Sequence, residues 1–338
     1  MVNFVTANMI RTTDHPVVKQ YMDIIQSSCV AAGYQCPDIV KPYKNIHKKD
    51  YVVTDSPLIA IQYMLKGFTK HIVWFQGVAP EESFMARKSH IRAAVLACIE
   101  KVVLKKAKVV LFVSKAMQEH YEKKYHLQLE HKSFIMPCFN ELGIEESAFS
   151  EEKYRQNTFT YVGSLLAWQC FEETVKLYAA IEKQAKEPVE FCVYTFQQDE
   201  AKDILRKHGV QNYTVDCVPK EELSERIKKA KYGFIVREES VVNHVATPTK
   251  FSNYLANGII PIYSSALRSF AEFDRGNKLG IVYDLDEPEL GLERILEHMQ
   301  QNISADQVRT KCDRAYATYY NPDFYRDALA SKLKKILK

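Results

Sequence analysis

A chain of 338 residues is longer than one typical α/β domain and short for three, so the sequence predicts two domains of similar size. With 46% hydrophobic and 26% charged residues, the composition is that of a folded globular protein and excludes a disordered one. The formal net charge is only +4 and no basic block dominates, so we expect no nucleic-acid partner.

The N-terminal residues 1–6 lack a signal-peptide pattern, and no apolar segment approaches roughly 18 residues. Eight cysteines are scattered without a Cys-x-x-Cys pair or a histidine at metal spacing, which predicts free thiols, no metal site and a cytoplasmic location. Two lysine clusters follow helical segments: Lys101, Lys105, Lys106 and Lys108, and then Lys332, Lys334, Lys335 and Lys338. Such cations complement a helix dipole; the alternative is peripheral contact with an anionic membrane surface.

Short apolar segments alternate with amphipathic, helix-length segments along the whole chain. In the first half, strands are predicted at residues 2–7, 51–54, 71–75, 109–113 and near 134–136. Helices are predicted at residues 17–32, 57–65, 91–105 and 115–125, the last with Ser114 as N-cap. This alternation is typical of parallel sheets with crossover helices, and therefore of an α/β fold.

Residues 140–146 are polar and acidic, and a new apolar strand begins after them, which indicates a domain linker. The second half repeats the alternation, with strands at 159–162, 190–195, 213–216, 232–236 and 259–263. Helices are predicted at 171–185, 200–207, 220–229 and 248–257. We therefore predict an N-terminal domain at 1–152, a C-terminal domain at 153–316 and a final helix at 317–338 that packs back on the N-terminal domain. Two facing domains of this kind would bind ligands at the carboxyl ends of their strands.

The most informative segment joins the predicted strand at 232–236 to the next helix. Thr247 is placed to cap that helix, and Pro248 suits its first position, where free amides would form an anion site. Lys250 lies in the first turn, against the preference of the helix dipole. A diphosphate between Lys250 and Arg237 would explain both cations; a lysine lying along its own helix is the alternative.

The run from Thr247 to Ile262, TPTKFSNYLANGIIPI, resembles the donor-site signature of retaining GT-B glycosyltransferases of family 4. Further segments are similar to other parts of that family in the same order. They are YVGSL at 161–165, FVSK at 112–115, IMPCFN at 135–140 and WFQGVAPEE at 74–82. The resemblance implies a GT-B fold, with two facing Rossmann-like domains, and a nucleotide-sugar donor.

The resemblance also implies roles for individual residues. Gly163 and Ser164 would approach the diphosphate, while Arg237 and Lys250 would neutralise it without a metal or other cofactor. The donor site would be completed by Thr247, Pro248, Thr249 and Asn253. Glu238 and Glu239 would orient the sugar or nucleotide, unless they are simply solvated or paired with Arg237.

The chain departs from the family pattern at several positions. Asn253 stands where a ribose-binding glutamate is usual, and Val245 replaces its partner glutamate eight positions earlier. Trp168, Gln169 and Cys170 stand where the family often has Lys-Gly, and the loop at 7–11 lacks the usual glycines. The diphosphate half of the donor site is therefore expected to be more typical than the ribose half.

Polar residues predicted on loops after first-domain strands are candidates for holding the acceptor, although each could be purely structural. They are Asn8, Asp14, His15, Gln76, Glu81 and Glu82. The expected function is transfer of a sugar from a nucleoside diphosphate, uridine favoured over guanosine, to a glycan or lipid-linked oligosaccharide in bacterial surface polysaccharide assembly. A catalytically silent subunit that binds a partner transferase and a nucleotide-sugar epimerase are the alternatives.

Overall fold

The structure is a computed structural model that describes residues 1–5, 16–37 and 46–337, apart from the side chains of Pro16, Val17 and Lys220. The chain forms two compact units. The first unit comprises Met1–Asn140, His244–Thr247 and Asn321–Lys338, and the second comprises Glu141–Asn243 and Pro248–Tyr320.

Strands and helices alternate through the first 140 residues. The strands are β1 (Val2–Val5), β2 (Tyr51–Thr54), β3 (His71–Phe75), β4 (Val109–Phe112) and β5 (Ser133–Ile135). The helices are α1 (Pro16–Ala31), α2 (Pro57–Leu65), α3 (Ala79–Arg87), α4 (His90–Lys106) and α5 (Lys115–Tyr125). Serine hydroxyls cap three of these helices by accepting a backbone N–H: Ser56 at α2, Ser89 at α4 and Ser114 at α5, which confirms the predicted cap.

The alternation continues to the C-terminus. The strands are β6 (Asn157–Val162), β7 (Val189–Tyr194), β8 (Tyr213–Asp216), β9 (Tyr232–Ile235), β10 (Ile260–Tyr263) and β11 (Ile281–Val282). The helices are α6 (Glu151–Arg155), α7 (Phe171–Gln184), α8 (Gln198–Lys207), α9 (Lys220–Ile227), α10 (Val241–Val245), α11 (Lys250–Ala256), α12 (Arg268–Arg275), α13 (Pro288–Met299), α14 (Ala305–Thr318) and α15 (Pro322–Ile336).

The first unit is built on a parallel sheet in which the strands follow chain order, β1-β2-β3-β4-β5. Every residue of β3 and β4 is buried, as expected for parallel strands covered by helices on both faces. Helix α15 packs on α1 within this unit. The hydroxyls of Tyr34 and Tyr51 donate to the carbonyl of Leu337 at the end of α15, at 2.9 and 3.2 Å.

The second unit is built on a parallel sheet with the order β11-β10-β9-β6-β7-β8. The chain runs outward from β6 through β7 to β8 and then returns to β9 on the other side of β6. The order of strands therefore reverses between β6 and β9. A stacked aromatic group, with Phe159 against Tyr232 and Phe234, holds these two strands together at the centre of the sheet.

The predicted α/β class is confirmed, and the predicted strands lie within one or two residues of those in the described parts of the chain. The short elements α6, α10 and β11 were not predicted, and two assignments near the predicted site residues were wrong. Residues 79–87 form α3 where the sequence was interpreted as a loop, although Pro80 followed by two glutamates is a helix-start signal. Helix α11 begins at Lys250, two residues later than Pro248.

Candidate functional site

A candidate site lies where the strand order reverses in the second unit. Gly163 and Ser164 directly follow β6, and Arg237 follows β9, so all three lie at the carboxyl ends of neighbouring parallel strands. Ligands of open α/β sheets bind at such a reversal, because the connections diverge there and leave a crevice. Among the described strands of the first unit, the order does not reverse.

Arg237 is buried at this position, with 3% of its surface exposed. One guanidinium nitrogen, Nη1, donates to the carbonyls of Gln169 and Val236 at 2.9 and 2.8 Å. The other, Nη2, donates to the side-chain Oε1 of Gln169 at 2.5 Å. Burial lowers the pKa of Arg237, but an arginine remains charged in a protein.

Lys250, the first residue of α11, is also buried. Its ammonium Nζ donates to the same Oε1 of Gln169 at 2.8 Å and lies 4.2 Å from the centroid of the Tyr161 ring. Burial, and secondly the charge of Arg237, hold the pKa of Lys250 well below its usual range. The ring face offers the ammonium a weak cation–π contact but no counter-charge.

The two cations therefore share one neutral amide oxygen inside the protein. No carboxylate among the residues that the structure describes contributes to the pKa of either cation. Taking an ion out of water costs several kcal/mol unless an opposite charge compensates it. A bound anion would supply that charge, and strongly perturbed groups at a strand-order reversal are typical of functional sites.

Gly163 leaves the space beside Lys250 open. Its φ of +136° lies in the region that favours glycine, and a Cβ there would stand 2.9 Å from Cε and 3.0 Å from Nζ of Lys250. The hydroxyl of Tyr161 donates to the carbonyl of Ser164 at 2.7 Å, which fixes the turn that follows β6. Backbone and ammonium consequently approach each other closely only because residue 163 has no side chain.

Gln169 was missed as a site residue by the sequence analysis. It ends a short 3-10 helix, Ala167–Gln169, that precedes α7, and its side chain and carbonyl together hold Arg237. The only sequence signal was that residues 168–170 depart from the family's usual Lys-Gly.

The predicted helix N-terminus is not formed as expected. Thr249 occupies the N-cap position of α11 without a side-chain hydrogen bond. The hydroxyl of Thr247 instead accepts the backbone N–H of Cys138 at 3.0 Å, within the first unit, so it does not cap α11. Pro248 precedes the helix, and its carbonyl accepts the N–H of Phe251. The case for an anion therefore rests on the two buried cations rather than on helix amides.

Asn253 lies one turn after Lys250 on α11, on the same face of the helix. Its buried Oδ1 has no hydrogen-bond partner among the residues the structure describes, so its capacity as an acceptor is unused there. Val245 is buried in the first unit, where its carbonyl accepts the hydroxyl of Ser114 at 2.7 Å.

Glu238 and Glu239 follow Arg237 in sequence, and both residues are exposed. The guanidinium of Arg237 donates to Gln169 and Val236, so neither glutamate forms the ion pair with Arg237 that was one of the two interpretations. The backbone carbonyl of Glu238 accepts the side-chain amide of Asn243 at 3.0 Å.

The two glutamates proposed for the acceptor lie in the first turn of α3 and not on a loop. Glu81 accepts from His120 at 3.2 Å and from Lys124 at 2.7 Å, both on α5. Glu82 accepts the N–H of Val78 at 3.0 Å and thereby caps α3. Both carboxylates therefore stabilise the position of α3.

The other proposed acceptor residues are Gln76, Asn8, Asp14 and His15. Gln76 is exposed after β3 and donates to the carbonyl of Asp55 at 3.0 Å. Asn8, Asp14 and His15 lie outside the described residues. Within residues 1–5, 16–37 and 46–337, no three His, Cys, Asp or Glu side chains cluster as a metal ion would require, and no helix is long and apolar enough to cross a bilayer.

The sequence matches no protein-family model and no curated protein. Solved structures nevertheless share the fold. A glycosyltransferase from Rickettsia africae ESF-5 superposes with a TM-score of 0.66 at 13% identity, over 100% of this chain and 98% of that one. WaaG, a glycosyltransferase involved in lipopolysaccharide biosynthesis, gives a TM-score of 0.64 at 14% identity, over 97% and 99%.

A third similar structure is a mutant of TarM from S. aureus in complex with fondaparinux, α-GlcNAc-glycerol and UDP. Its TM-score is 0.64 at 10% identity, over 86% of this chain but 56% of the TarM chain, so the present chain spans little more than half of TarM. The two parallel β-sheets of this α/β chain, together with these similarities, confirm the predicted GT-B fold class.

Proposed function

We propose that the chain is a glycosyltransferase that moves a sugar from a nucleoside diphosphate to a hydroxyl of a glycan or lipid-linked oligosaccharide. The observation that carries the proposal is the uncompensated pair of buried cations, Arg237 and Lys250, beside the open backbone of Gly163. The glycosyltransferases that share the fold support the reaction class, and the UDP in the TarM structure supports uridine over guanosine.

The cation pair suits the chemistry of a leaving diphosphate. As the bond to the sugar breaks, negative charge develops on the diphosphate, and buried cations stabilise that charge more strongly than exposed ones would. Arg237 can hold two phosphate oxygens through its planar fork, while Lys250 acts as a point charge. We propose that this charge pairing replaces a metal ion and that no other cofactor takes part.

The remaining donor contacts follow from the placement of the residues. We propose that the backbone at Gly163 and Ser164 approaches the diphosphate, and that Oδ1 of Asn253 accepts a ribose hydroxyl. Thr247, Pro248 and Thr249 would line the approach to α11, and Glu238 or Glu239 would orient the sugar. A retaining reaction, with attack on the face that the nucleotide leaves, would need no carboxylate nucleophile.

We propose that residues 153–316 bind the donor and residues 1–152 bind the acceptor, and that the helix at 317–338 packs back towards the N-terminal domain. Acceptor contacts are proposed for Asn8, Asp14, His15, Gln76, Glu81 and Glu82. The proposed setting is bacterial surface polysaccharide assembly in the cytoplasm. Peripheral contact with the membrane is part of the proposal, because a lipid-linked acceptor is held in a bilayer.

Calorimetric titration with UDP and GDP tests the donor site. Lys250→Met should weaken UDP binding by roughly 10- to 150-fold, the equivalent of about 1.5–3 kcal/mol for a charge-assisted hydrogen bond. Lys183→Met is the matched control, since Lys183 is exposed on α7 of the same unit. Equal UDP affinity of the Lys250 variant and the wild type would overturn the site assignment.

Product analysis by mass spectrometry with a panel of UDP-sugars then tests the reaction. Transfer or slow hydrolysis of one donor supports the transferase, and inversion of the sugar without transfer would indicate an epimerase. UDP-sugar binding with no reaction would favour the silent subunit. The silent subunit is retained as an alternative because Asn253 and Val245 replace the two glutamates that are usual in the family.

A further inference from the structure

A second group of cations lies at the opposite end of the sheet in the second unit. Asn157 begins β6 and Lys231 directly precedes β9, so both residues lie at the amino ends of neighbouring parallel strands. Gly163 and Arg237, at the candidate donor site, follow the same two strands. Strand β6 has 6 residues, which span on the order of 20 Å at about 3.3 Å per residue. The second group is therefore separate from the donor site.

Lys231 is buried at this end of the sheet, with 2% of its surface exposed. Its ammonium Nζ donates to the side-chain Oδ1 of Asn157 at 3.4 Å, which is a long hydrogen bond to a neutral acceptor. The ring centroid of Tyr232 lies 5.1 Å from the same nitrogen and offers a weak cation–π contact. Burial lowers the pKa of Lys231 to about 8, and the charge of Glu187 opposes that shift. The ammonium is therefore only weakly compensated by the residues around it.

A cavity of about 440 Å³ opens beside Lys231, within the second unit. Two exposed cations, Arg155 and Lys186, line the same cavity. Lys186 donates to the side-chain Oε1 of Gln300 at 3.3 Å, which is again a neutral acceptor. The only acid among the residues that line the cavity is the exposed Glu187. Three cations and one acid thus surround a single cavity.

The end of helix α13 is the alternative explanation for these cations. Met299 and Gln300, the last residue of α13 and its C-cap, line the cavity, and cations stabilise a helix C-terminus. The ammonium of Lys186 donates to the side chain of Gln300, however, and that of Lys231 donates to Asn157. Neither donates to a backbone carbonyl of α13 in the described part of the chain. The helix dipole therefore attracts these cations without explaining why Lys231 is buried.

Two other lysines show how this chain satisfies an ammonium with its own backbone. Lys132 donates to three carbonyls at the end of α4, at 2.6, 3.2 and 3.1 Å. Lys153, which is buried, donates to the carbonyls of Ala148 and Asn257 at 3.2 and 2.5 Å. Lys231 has only an amide oxygen at 3.4 Å among the described residues, so most of its capacity as a donor is unused.

The wall of the cavity suits a phosphate monoester. Such a group carries a charge of about −1.5 to −2 at neutral pH and three acceptor oxygens, which arginine binds through its planar fork and lysine as a point charge. The side-chain amides of Gln301 and Asn302 and the carboxylate of Glu187 also line the cavity and can bind hydroxyls. A volume of about 440 Å³ is typical of a small-molecule site. We propose that this cavity binds a small polyol phosphate, at a site distinct from the donor site and independent of the proposed transfer reaction.

Calorimetric titration of the full chain with glycerol 3-phosphate, in a buffer free of phosphate, tests the proposal. Lys250→Met is titrated beside the wild type, because the proposed donor site also binds phosphate groups. We expect Lys250→Met to retain binding and Lys231→Met to weaken it by roughly 10- to 150-fold, through the loss of a charge-assisted hydrogen bond. Lys183→Met is the matched control and should bind like the wild type, since Lys183 is exposed on α7 and does not line the cavity.

Two substitutions at exposed positions keep the test independent of how well Lys231→Met folds. Arg155→Gln should weaken glycerol 3-phosphate binding by roughly two- to fivefold, and Glu187→Gln should strengthen it by a similar factor, because the first removes an attractive charge and the second a repulsive one. A gain of affinity in Glu187→Gln is a result that misfolding would not produce. Thermal melting of every variant checks that the fold is retained.

UDP titration of the same variants distinguishes this site from the donor site. Lys231→Met, Arg155→Gln and Glu187→Gln should all bind UDP like the wild type, so failure of either proposal leaves the other testable. Absence of glycerol 3-phosphate binding to the wild type at millimolar concentrations would overturn the proposal. Binding that is lost in Lys250→Met, or that is unchanged in all three cavity variants, would place the phosphate elsewhere and overturn it as well.

Discussion

Replacing the bridging amide by a carboxylate gives the sharpest test of the cation pair. Gln169→Glu has nearly the shape of the native side chain, whose Oε1 lies 2.5 Å from Arg237 and 2.8 Å from Lys250. The variant would place a negative charge between two cations that have no carboxylate partner among the described residues. We therefore expect the protein to become more stable and, at the same time, to lose nucleotide affinity.

The magnitude follows from the geometry. Each new ion pair at about 4 Å between charge centres is worth about 4 kcal/mol at the effective dielectric of a partly buried site. Burying the carboxylate costs several kcal/mol in return, which leaves a net gain of about 2 kcal/mol. For a unit of this size, that gain corresponds to a rise in the melting temperature of about 4–8 °C.

Nucleotide binding should change in the opposite direction. The new carboxylate competes with the diphosphate for the same donors, and the loss of one charge-assisted interaction weakens binding by roughly 10- to 150-fold. Differential scanning calorimetry and UDP titration measure both effects on one sample. Gln300→Glu is a matched control, because Gln300 accepts from a single exposed lysine, Lys186, at 3.3 Å. It should change stability by less than about 0.5 kcal/mol and leave UDP binding unaltered.

A Gln169→Glu protein that melts below the wild type would show that the two cations are already compensated. If that variant binds UDP with wild-type affinity, the diphosphate does not bind to Arg237 and Lys250. Either result refutes the reasoning that assigns the donor site to this place in the second unit.

Three further expectations follow from the structure, two at the cation pair and one at Glu100 in the first unit. Gly163→Ala should lower the free energy of unfolding in urea by about 1–3 kcal/mol and abolish measurable UDP binding, because a Cβ would strain the backbone and displace the Lys250 ammonium. Gly143→Ala is the control and should have neither effect, since a Cβ at residue 143 would meet no atom within 4 Å. Burial lowers the pKa of Lys250 and a bound diphosphate should raise it again, so UDP affinity should fall as the pH rises through that lowered pKa. Calorimetry in buffers of different ionisation enthalpy should show proton uptake on UDP binding for the wild type and none for Lys250→Met. Burial raises the pKa of Glu100 to about 7, so its contribution to stability is fully present below about pH 4.5 and is lost as the pH rises to about 7. This pH-dependent loss is up to about 3 kcal/mol, and unfolding curves at pH 5 and pH 8 should show that Glu100→Gln removes it.

Much of the fold and part of the site were readable from the sequence because they depend on neighbours along the chain. Apolar β-rich segments and amphipathic segments give strands and helices by local propensity and periodicity, so the α/β class and most element bounds followed directly. Arg237 and Lys250 were predicted to approach each other because one ends a strand and the other begins the next main helix. The two errors in this group differ in cause. Helix α3 was missed because a family-like pattern was followed instead of the local helix signals, whereas the start of α11 was placed by local capping signals at Thr247 and Pro248 that the structure does not use.

Only the tertiary structure decided the partners of those residues. Gln169 accepts from Arg237 across 68 positions of sequence and from Lys250 across 81, and the Thr247 hydroxyl accepts the N–H of Cys138, 109 positions away. The reversal of strand order between β6 and β9 likewise depends on which strands pair in the folded sheet. Such pairings depend on which segments pack together, and a sequence pattern does not specify that.

Arg237 and Lys250 were therefore identified from the sequence, whereas only the structure showed that they have no carboxylate partner among the described residues. The same division holds for the exposed apolar side chains of α4. An isoleucine in a helical pattern predicts burial, and only the packing of the unit shows that Ile91 is turned to solvent. The sequence by itself determined which elements form and which charges are available. Tertiary packing determined which groups are buried and paired, because both depend on contacts between residues far apart in the chain.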